Sequence, residues 1–227
     1  MLYDETAVKA NIRNREGKRI FFLGKGDQLT ASARDFLTRE RIEIRPAETA
    51  KIETYKLLGG GTLSEKPEHL THLYGDVLVS KTHPRILFRG AVDTLEAELL
   101  LAAQAAKHWQ KELKEILEQV RKLIRYDVLN EPVEGETLCG LAEKEIRKRS
   151  HFPADYYGQP HFMPEVTDGP ALLQINRARC AARAAELSAV AAFSDREGVP
   201  TRPDIIRALN RMSSMLYLLM IQEKTKT

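Results

Sequence analysis

The sequence predicts a mainly α protein, a five-helix up-and-down bundle with a small N-terminal α/β unit, on three observations. From Leu73 onward the pattern is mostly helical, with apolar residues at helical spacing over Ile86–Ala106. The strand-like runs Arg19–Leu23 (RIFFL) and Ile42-Glu43-Ile44 fall in the first 48 residues. Between them and the helical part, residues 46–69 hold Pro46, Gly59-Gly60-Gly61 and Pro67 with little periodicity. The division expected is therefore 1–48 as the α/β unit, 49–69 as a linker and 70–227 as the helical domain.

RIFFL is β-branched and aromatic, and Gly24-Lys25-Gly26-Asp27 closes it as a turn. Thr30 is a good N-cap for a helix running to Arg41, and Ile42–Ile44 follows as a second short strand. The triple glycine lacks both the Lys-Ser/Thr of a P-loop and a preceding strand, so it reads as linker rather than phosphate loop. Ile86–Ala106 and Trp109–Tyr126 read as two antiparallel helices, the second with Leu113, Ile116, Leu117, Val120, Leu123 and Ile124 on one face. Glu136–Arg149 reads as a third helix. Asp155–Gly169, rich in Tyr, Pro, Gly and His, is too irregular for a helix and leads into Ala171–Phe193. The last helix, Pro203–Glu223, opens on a proline suited to its first turn. Short connections make these five helices a bundle.

The chain's 35 basic and 32 acidic residues leave a net charge of +3 without a basic block, which argues against nucleic-acid binding. The N-terminus has no signal-like apolar core and no run is long enough to span a membrane, so a soluble, cytoplasmic protein is expected. Cys139 and Cys180 lie far apart in helical patterns, as reduced structural thiols do, and neither they nor His69, His72, His83, His108 and His151 show metal-ligand spacing.

Ala171–Phe193 holds the most pointed constellation. Arg179, Arg183 and Glu186 fall at i, i+4 and i+7, on one stripe of an alanine-rich helix. Two neighbouring guanidiniums suit phosphate oxygens; the alternative is a solvated face with an Arg183–Glu186 pair. Lys81, Arg85, Arg89 and Asp93 form a second group. They read either as a basic approach to a phosphate site, with Asp93 steadying an arginine, or as an exposed face. Asn210, inside an apolar helix and followed by Arg211, Ser213 and Ser214, should hydrogen-bond a neighbouring helix or a ligand. His161 and Phe162 stand in a loop that could cover a flat ligand or plug the core.

Three separated stretches, LTHLYGDVLVSKTHPRILFRGAVDTLEAELLLA (70–102), Arg179-x-x-x-Arg183-x-x-Glu186 and RPDIIRALNRMSSMLYLLMI (202–221), closely resemble corrinoid adenosyltransferases of the ethanolamine-utilisation type. NEPVEGETLCGLAEKEIRKRSHFP, HFMPEVTDG and LTASARDFLTRERIEI resemble the same group, so the likeness covers most of the chain. It implies an all-helical bundle, usually trimeric, that moves the 5′-deoxyadenosyl group of ATP to cob(I)alamin and releases triphosphate with Mg²⁺. It further implies that Arg179, Arg183 and Lys81 bind triphosphate, that Asp93 pairs with Arg179 across a subunit boundary, and that Glu186 lies near the metal or ribose. Asn210 would complete the adenosine pocket, and Phe162 would displace the lower axial ligand of the corrinoid. Ethanolamine ammonia-lyase, its reactivase or a microcompartment shell are the implied partners, with a location in the cytoplasm or inside such a compartment. Two departures from the pattern stand out: Ala184 and Ser214 replace an arginine and an acid of the wider family, and glycines stand where some members carry a cysteine cluster. The rival reading is a non-catalytic corrinoid or nucleotide carrier with the same bundle.

Overall fold

The computed structural model describes residues 2–15, 18–47, 54–135 and 137–226. They divide into two compact units, 1–55 with 62–65, and 56–61 with 66–227.

In the first unit β1 (Leu2–Tyr3) precedes α1 (Glu5–Ala10), and β2 (Arg13–Arg15) pairs antiparallel with β3 (Lys18–Leu23). β4 (Gln28–Leu29) lies parallel to β1, and α2 (Ala31–Arg39) leads to β5 (Glu43–Pro46), which is parallel to β3. Thr30 caps α2 as its sequence predicts, its hydroxyl accepting from Ala33 N at 3.3 Å. The helix stops two residues before the predicted Arg41, which adopts φ +52° and turns the chain so that Ile42 is buried. Val8, Phe21, Ala33, Phe36 and Leu37 make the core of this unit. The stretch read as a linker is not featureless. It carries β6 (Tyr55–Leu57) and β7 (Thr62–Leu63), while 48–53 lie outside the described residues. The triple glycine forms the tight turn after β6: Gly60 and Gly61 sit at φ +99° and +90°, and Gly61 O accepts from Leu57 N at 3.0 Å.

In the second unit β8 (Leu70–Tyr74) and β9 (Val77–Ser80) form a hairpin where the sequence predicts a mostly helical pattern from Leu73: Gly75, at φ +50°, turns the chain, the two strands bury Leu73, Leu78 and Val79, and β9 is parallel to β6 through Lys56 and Leu57. The helices are α3 (Pro84–Ala105), α4 (Gln110–Leu129), α5 (Glu143–His151), α6 (Pro153–Tyr157), α7 (Pro170–Phe193) and α8 (Pro203–Lys224). In space the order is α4, α3, α7, α8, α5, with α7 packed between α3 and α8. That central place follows from its sequence. Ala178, Ala182, Ala185 and Ala189 are fully buried in one column, and side chains this small let flanking helices approach closely. Leu95, Leu99, Leu209, Leu216 and Met220 fill the space beside them.

The helix expected over Glu136–Arg149 is shorter than its pattern. Thr137–Leu138 (β10) and Leu141–Ala142 (β11) form a hairpin before α5, while Glu136 lies outside the described residues. Cys139 is thus in a turn, at φ +51°, not in a helix. Burial, reinforced by Glu115 and Glu112, pushes its thiol up to about 12, so it is a packing group and not a nucleophile. Among the described residues no helix is long and apolar enough to cross a membrane.

Candidate functional site

The polar stripe of α7 lies one residue on from its buried column: Arg179, Arg183 and Glu186 follow Ala178, Ala182 and Ala185. One residue is a 100° rotation, so the stripe borders the core on the flank where α8 packs. Glu186 Oε1 accepts from Asn210 Nδ2 at 2.9 Å, which is the neighbouring-helix partner that the mid-helix asparagine requires. Arg211 in turn donates to Asn210 Oδ1. Seven residues back on α7 is Arg179; seven residues forward on α8 is Tyr217, and both line one cavity, as antiparallel helices in register require.

Arg179 is half-buried and oriented by a residue the sequence reading missed. Asn176, one turn earlier, accepts from Arg179 Nε at 3.1 Å and from Nη2 at 2.9 Å through a single oxygen. An amide three residues before an arginine on a helix was the available signal. Arg183 is exposed, and among the described residues it has no hydrogen-bond or ion-pair partner. The expected Arg183–Glu186 pair is not formed.

The cavity at the Arg179 end has a volume of about 490 Å³ and is bounded by His161, Phe162, Asn176, Arg179, Tyr217 and Met220. Phe162 stacks on Tyr217 with ring centroids 6.4 Å apart and an interplanar angle of 22°. His161 stacks on the same ring at 5.7 Å, and its Nδ1 is 2.8 Å from the Tyr217 hydroxyl. Burial raises the Tyr217 hydroxyl above its usual range, against the opposing pull of the Phe162 backbone and the Arg179 charge, so it is neutral at pH 7. The loop carrying Phe162 is pinned at its far end. Asp168 bonds Lys224 at 2.5 Å and accepts from Glu165 N at 2.8 Å. The loop therefore offers a flat aromatic surface, partly packed on the core, beside a guanidinium.

The second predicted basic group behaves differently. Arg85 and Arg89 do not face a phosphate site; they converge on Asp127 of α4, which is buried. Arg85 Nε reaches Asp127 Oδ1 at 2.7 Å and Arg89 Nε reaches Oδ2 at 2.8 Å. Arg85 Nη2 donates to the Asp127 carbonyl, and Arg89 Nη1 and Nη2 donate to those of His72 and Leu73. Arg89 thus uses all three of its nitrogens within the fold and Arg85 uses Nε and Nη2, because a buried carboxylate must be paired. Lys81 is exposed and 3.9 Å from Glu68, and Asp93 is exposed on α3. Among the described residues neither bonds Arg179 or Arg183 within the chain, and no group of three His, Cys, Asp or Glu side chains could hold a metal ion.

The sequence model of the cobalamin adenosyltransferase family matches residues 62–223. The chain is 32% identical to the corrinoid adenosyltransferase EutT of Salmonella typhimurium LT2 over 246 aligned residues, covering 98% of this chain and 92% of that protein. It is 34% identical to the proteins of that name from Escherichia coli K12 and O6:H1, over 72% of this chain and 62% of each of theirs.

Proposed function

Because the chain belongs to the cobalamin adenosyltransferase family and is therefore a transferase, we propose that it moves the 5′-deoxyadenosyl group of ATP to cob(I)alamin and releases triphosphate. The observation that carries this reading is Arg183, unpartnered among the described residues, on one flank with an Arg179 already held at a cavity edge. The reduced cobalt is itself the nucleophile. Its electron pair forms the bond to C5′, and the electrons of the broken C5′–O bond leave with triphosphate. No general base is needed; the protein supplies position and charge.

In this reading Arg179 and Arg183 grip the triphosphate with planar forks and Lys81 adds a point charge. Glu186 and Asn210, already bonded to each other, face the ribose and adenine. Glu186 also fits Mg²⁺ carried by the nucleotide, since its Oε2 has no hydrogen bond among the described residues; when bound, Mg²⁺ neutralises phosphate charge. Phe162 and Tyr217 would form the aromatic surface that holds the corrinoid, Phe162 favouring the four-coordinate cob(II) form that is more easily reduced to cob(I)alamin. Asp93 and Lys81 reach the site from a neighbouring copy, which makes the active species a homo-oligomer, a trimer by family likeness. The N-terminal unit is assigned to docking on the machinery of ethanolamine use, in the cytoplasm or inside a microcompartment.

Anaerobic incubation with ATP, Mg²⁺ and chemically reduced cobalamin should give the adenosylcobalamin spectrum and stoichiometric triphosphate. Corrinoid binding with neither product would establish a carrier instead.

A further inference from the structure

We propose that Lys224 and Asp168 are a positioning pair for Phe162: their ion pair holds the loop between α6 and α7 so that this ring stays in the wall of the cavity beside Arg179. The inference rests on the corrinoid-facing role proposed above for Phe162. One wall of that cavity is the loop itself, through His161, Phe162, Met163 and Pro164, and the other belongs to α7 and α8. Where the loop sits therefore sets the shape of the cavity.

Apolar packing does little to fix the loop beyond Phe162, since Met163 is 83% and Val166 98% exposed. Polar contacts hold it instead, and they differ in kind at its two ends. At the first end His161 stacks on Tyr217, and its ring nitrogens lie 2.8 Å from the Tyr217 hydroxyl and 3.2 Å from the His151 carbonyl. At the second end the hold is ionic. Lys224 Nζ donates to Asp168 Oδ1 at 2.5 Å, and only 5% of the aspartate side chain is accessible. Asp168 Oδ2 accepts from Glu165 N at 2.8 Å and Asp168 N donates to Glu165 O at 3.0 Å, so the carboxylate that grips Lys224 also closes the Glu165–Asp168 turn. Their shared hydrogen bond draws the Asp168 carboxyl below its usual range and raises the Lys224 ammonium, so both stay charged at neutral pH. Lys224 is the last residue of α8, where the helix dipole favours a cation. Its Nζ is also 5.8 Å from the centre of the Phe162 ring. Tyr217 and Lys224 are two turns apart on one face of α8, and both meet Phe162, one as a stacked ring and the other as a cation. Loss of the ion pair should free the loop without loosening α8, because that end of the helix has a separate hold: Glu223 accepts from Trp109 Nε1 at 2.9 Å.

The test compares Lys224→Gln and Lys224→Arg in the full chain. With no substrate present, amide exchange at Glu165 and Asp168 should be about tenfold faster in Lys224→Gln, with exchange in α7 and α8 and the melting temperature unchanged, and Lys224→Arg should exchange like the parent. With ATP, adenosylation by Lys224→Gln should fall about tenfold when cob(II)alamin and a one-electron reductant are supplied, but less than about twofold when cob(I)alamin is supplied already reduced, because only the first route needs the ring in place. Lys224→Arg should recover the first route. The positioning role is overturned if exchange in Lys224→Gln matches the parent, if both routes fall alike, or if Lys224→Arg recovers neither exchange nor turnover. A parent chain that makes no adenosylcobalamin by either route would instead overturn the proposed function, and the exchange measurement would still decide whether the pair holds the loop.

Discussion

Two helices of this chain carry Arg-x-x-x-Arg, and the structure uses the two pairs in opposite ways. On α3, Arg85 and Arg89 share the buried carboxylate of Asp127 and bond three carbonyls, with Tyr74 and Phe193 stacked near Arg85 at 5.7 and 6.0 Å. On α7, Arg179 is held by one amide oxygen and a long contact from Nη2 to Cys180 Sγ at 3.8 Å, and Arg183 by nothing among the described residues. Spacing alone does not distinguish a structural arginine from a ligand-binding one. The acceptor inventory does: a guanidinium paired with a buried internal carboxylate has its charge already answered and little left for phosphate.

The largest effect should come from taking the shared carboxylate away from the α3 pair. Asp127→Ala leaves two partly buried guanidiniums without their carboxylate, which costs about 3 to 5 kcal/mol. A chain of this size should then melt roughly 10 °C lower, which calorimetry would register. A melting temperature within a degree or two of the parent would mean that Arg85 and Arg89 are as dispensable to folding as Arg183, and the contrast would vanish.

Arg183 should give the reverse pattern. If it grips triphosphate in the transition state, Arg183→Ala lowers kcat/KM for ATP by about 2 to 4 kcal/mol and leaves the melting temperature unchanged. Arg183→Lys should restore little, because an ammonium does not reproduce the planar fork. Unchanged turnover in both variants would return Arg183 to the solvated face.

The parts of the molecule that were legible beforehand are those set by local chemistry. The α7 helix follows from its alanine column, α2 from the Thr30 cap, and β3 from RIFFL, each readable within a dozen residues. What escaped depends on distance in sequence or on pieces too short for periodicity. Asp127 is 42 residues from Arg85, and nothing near either residue marks the other as its partner. The β10–β11 hairpin is two residues a side around a left-handed Cys139, so its apolar residues passed for part of a helix. The stripe Arg179, Arg183 and Glu186 was visible because all three lie on one helix, and Asn210 because it is misplaced by propensity. Asn176 was overlooked although it is on that same face, since one polar residue in a helix resembles any other until its hydrogen bonds are known.

That residue offers the finest test of the comparison. Asn176 holds Arg179 through two hydrogen bonds to a neutral oxygen, which fixes the direction of the fork without cancelling its charge. Removing it in Asn176→Ala should cost about 1 kcal/mol in kcat/KM for ATP, the value of a modest orienting hydrogen bond, and fall mainly on KM. Asn176→Asp is nearly the same shape but places a carboxylate where the amide oxygen was. It should turn Arg179 into the kind of arginine that Asp127 makes of Arg85, engaged by an internal anion and no longer free for an external one. Activity in the aspartate variant should therefore drop below that of the alanine variant, although aspartate keeps the hydrogen bonds that alanine loses. Were the two to behave alike, orientation alone would account for Asn176, and the neutrality of Arg179's partner would have no part in keeping that arginine available to phosphate.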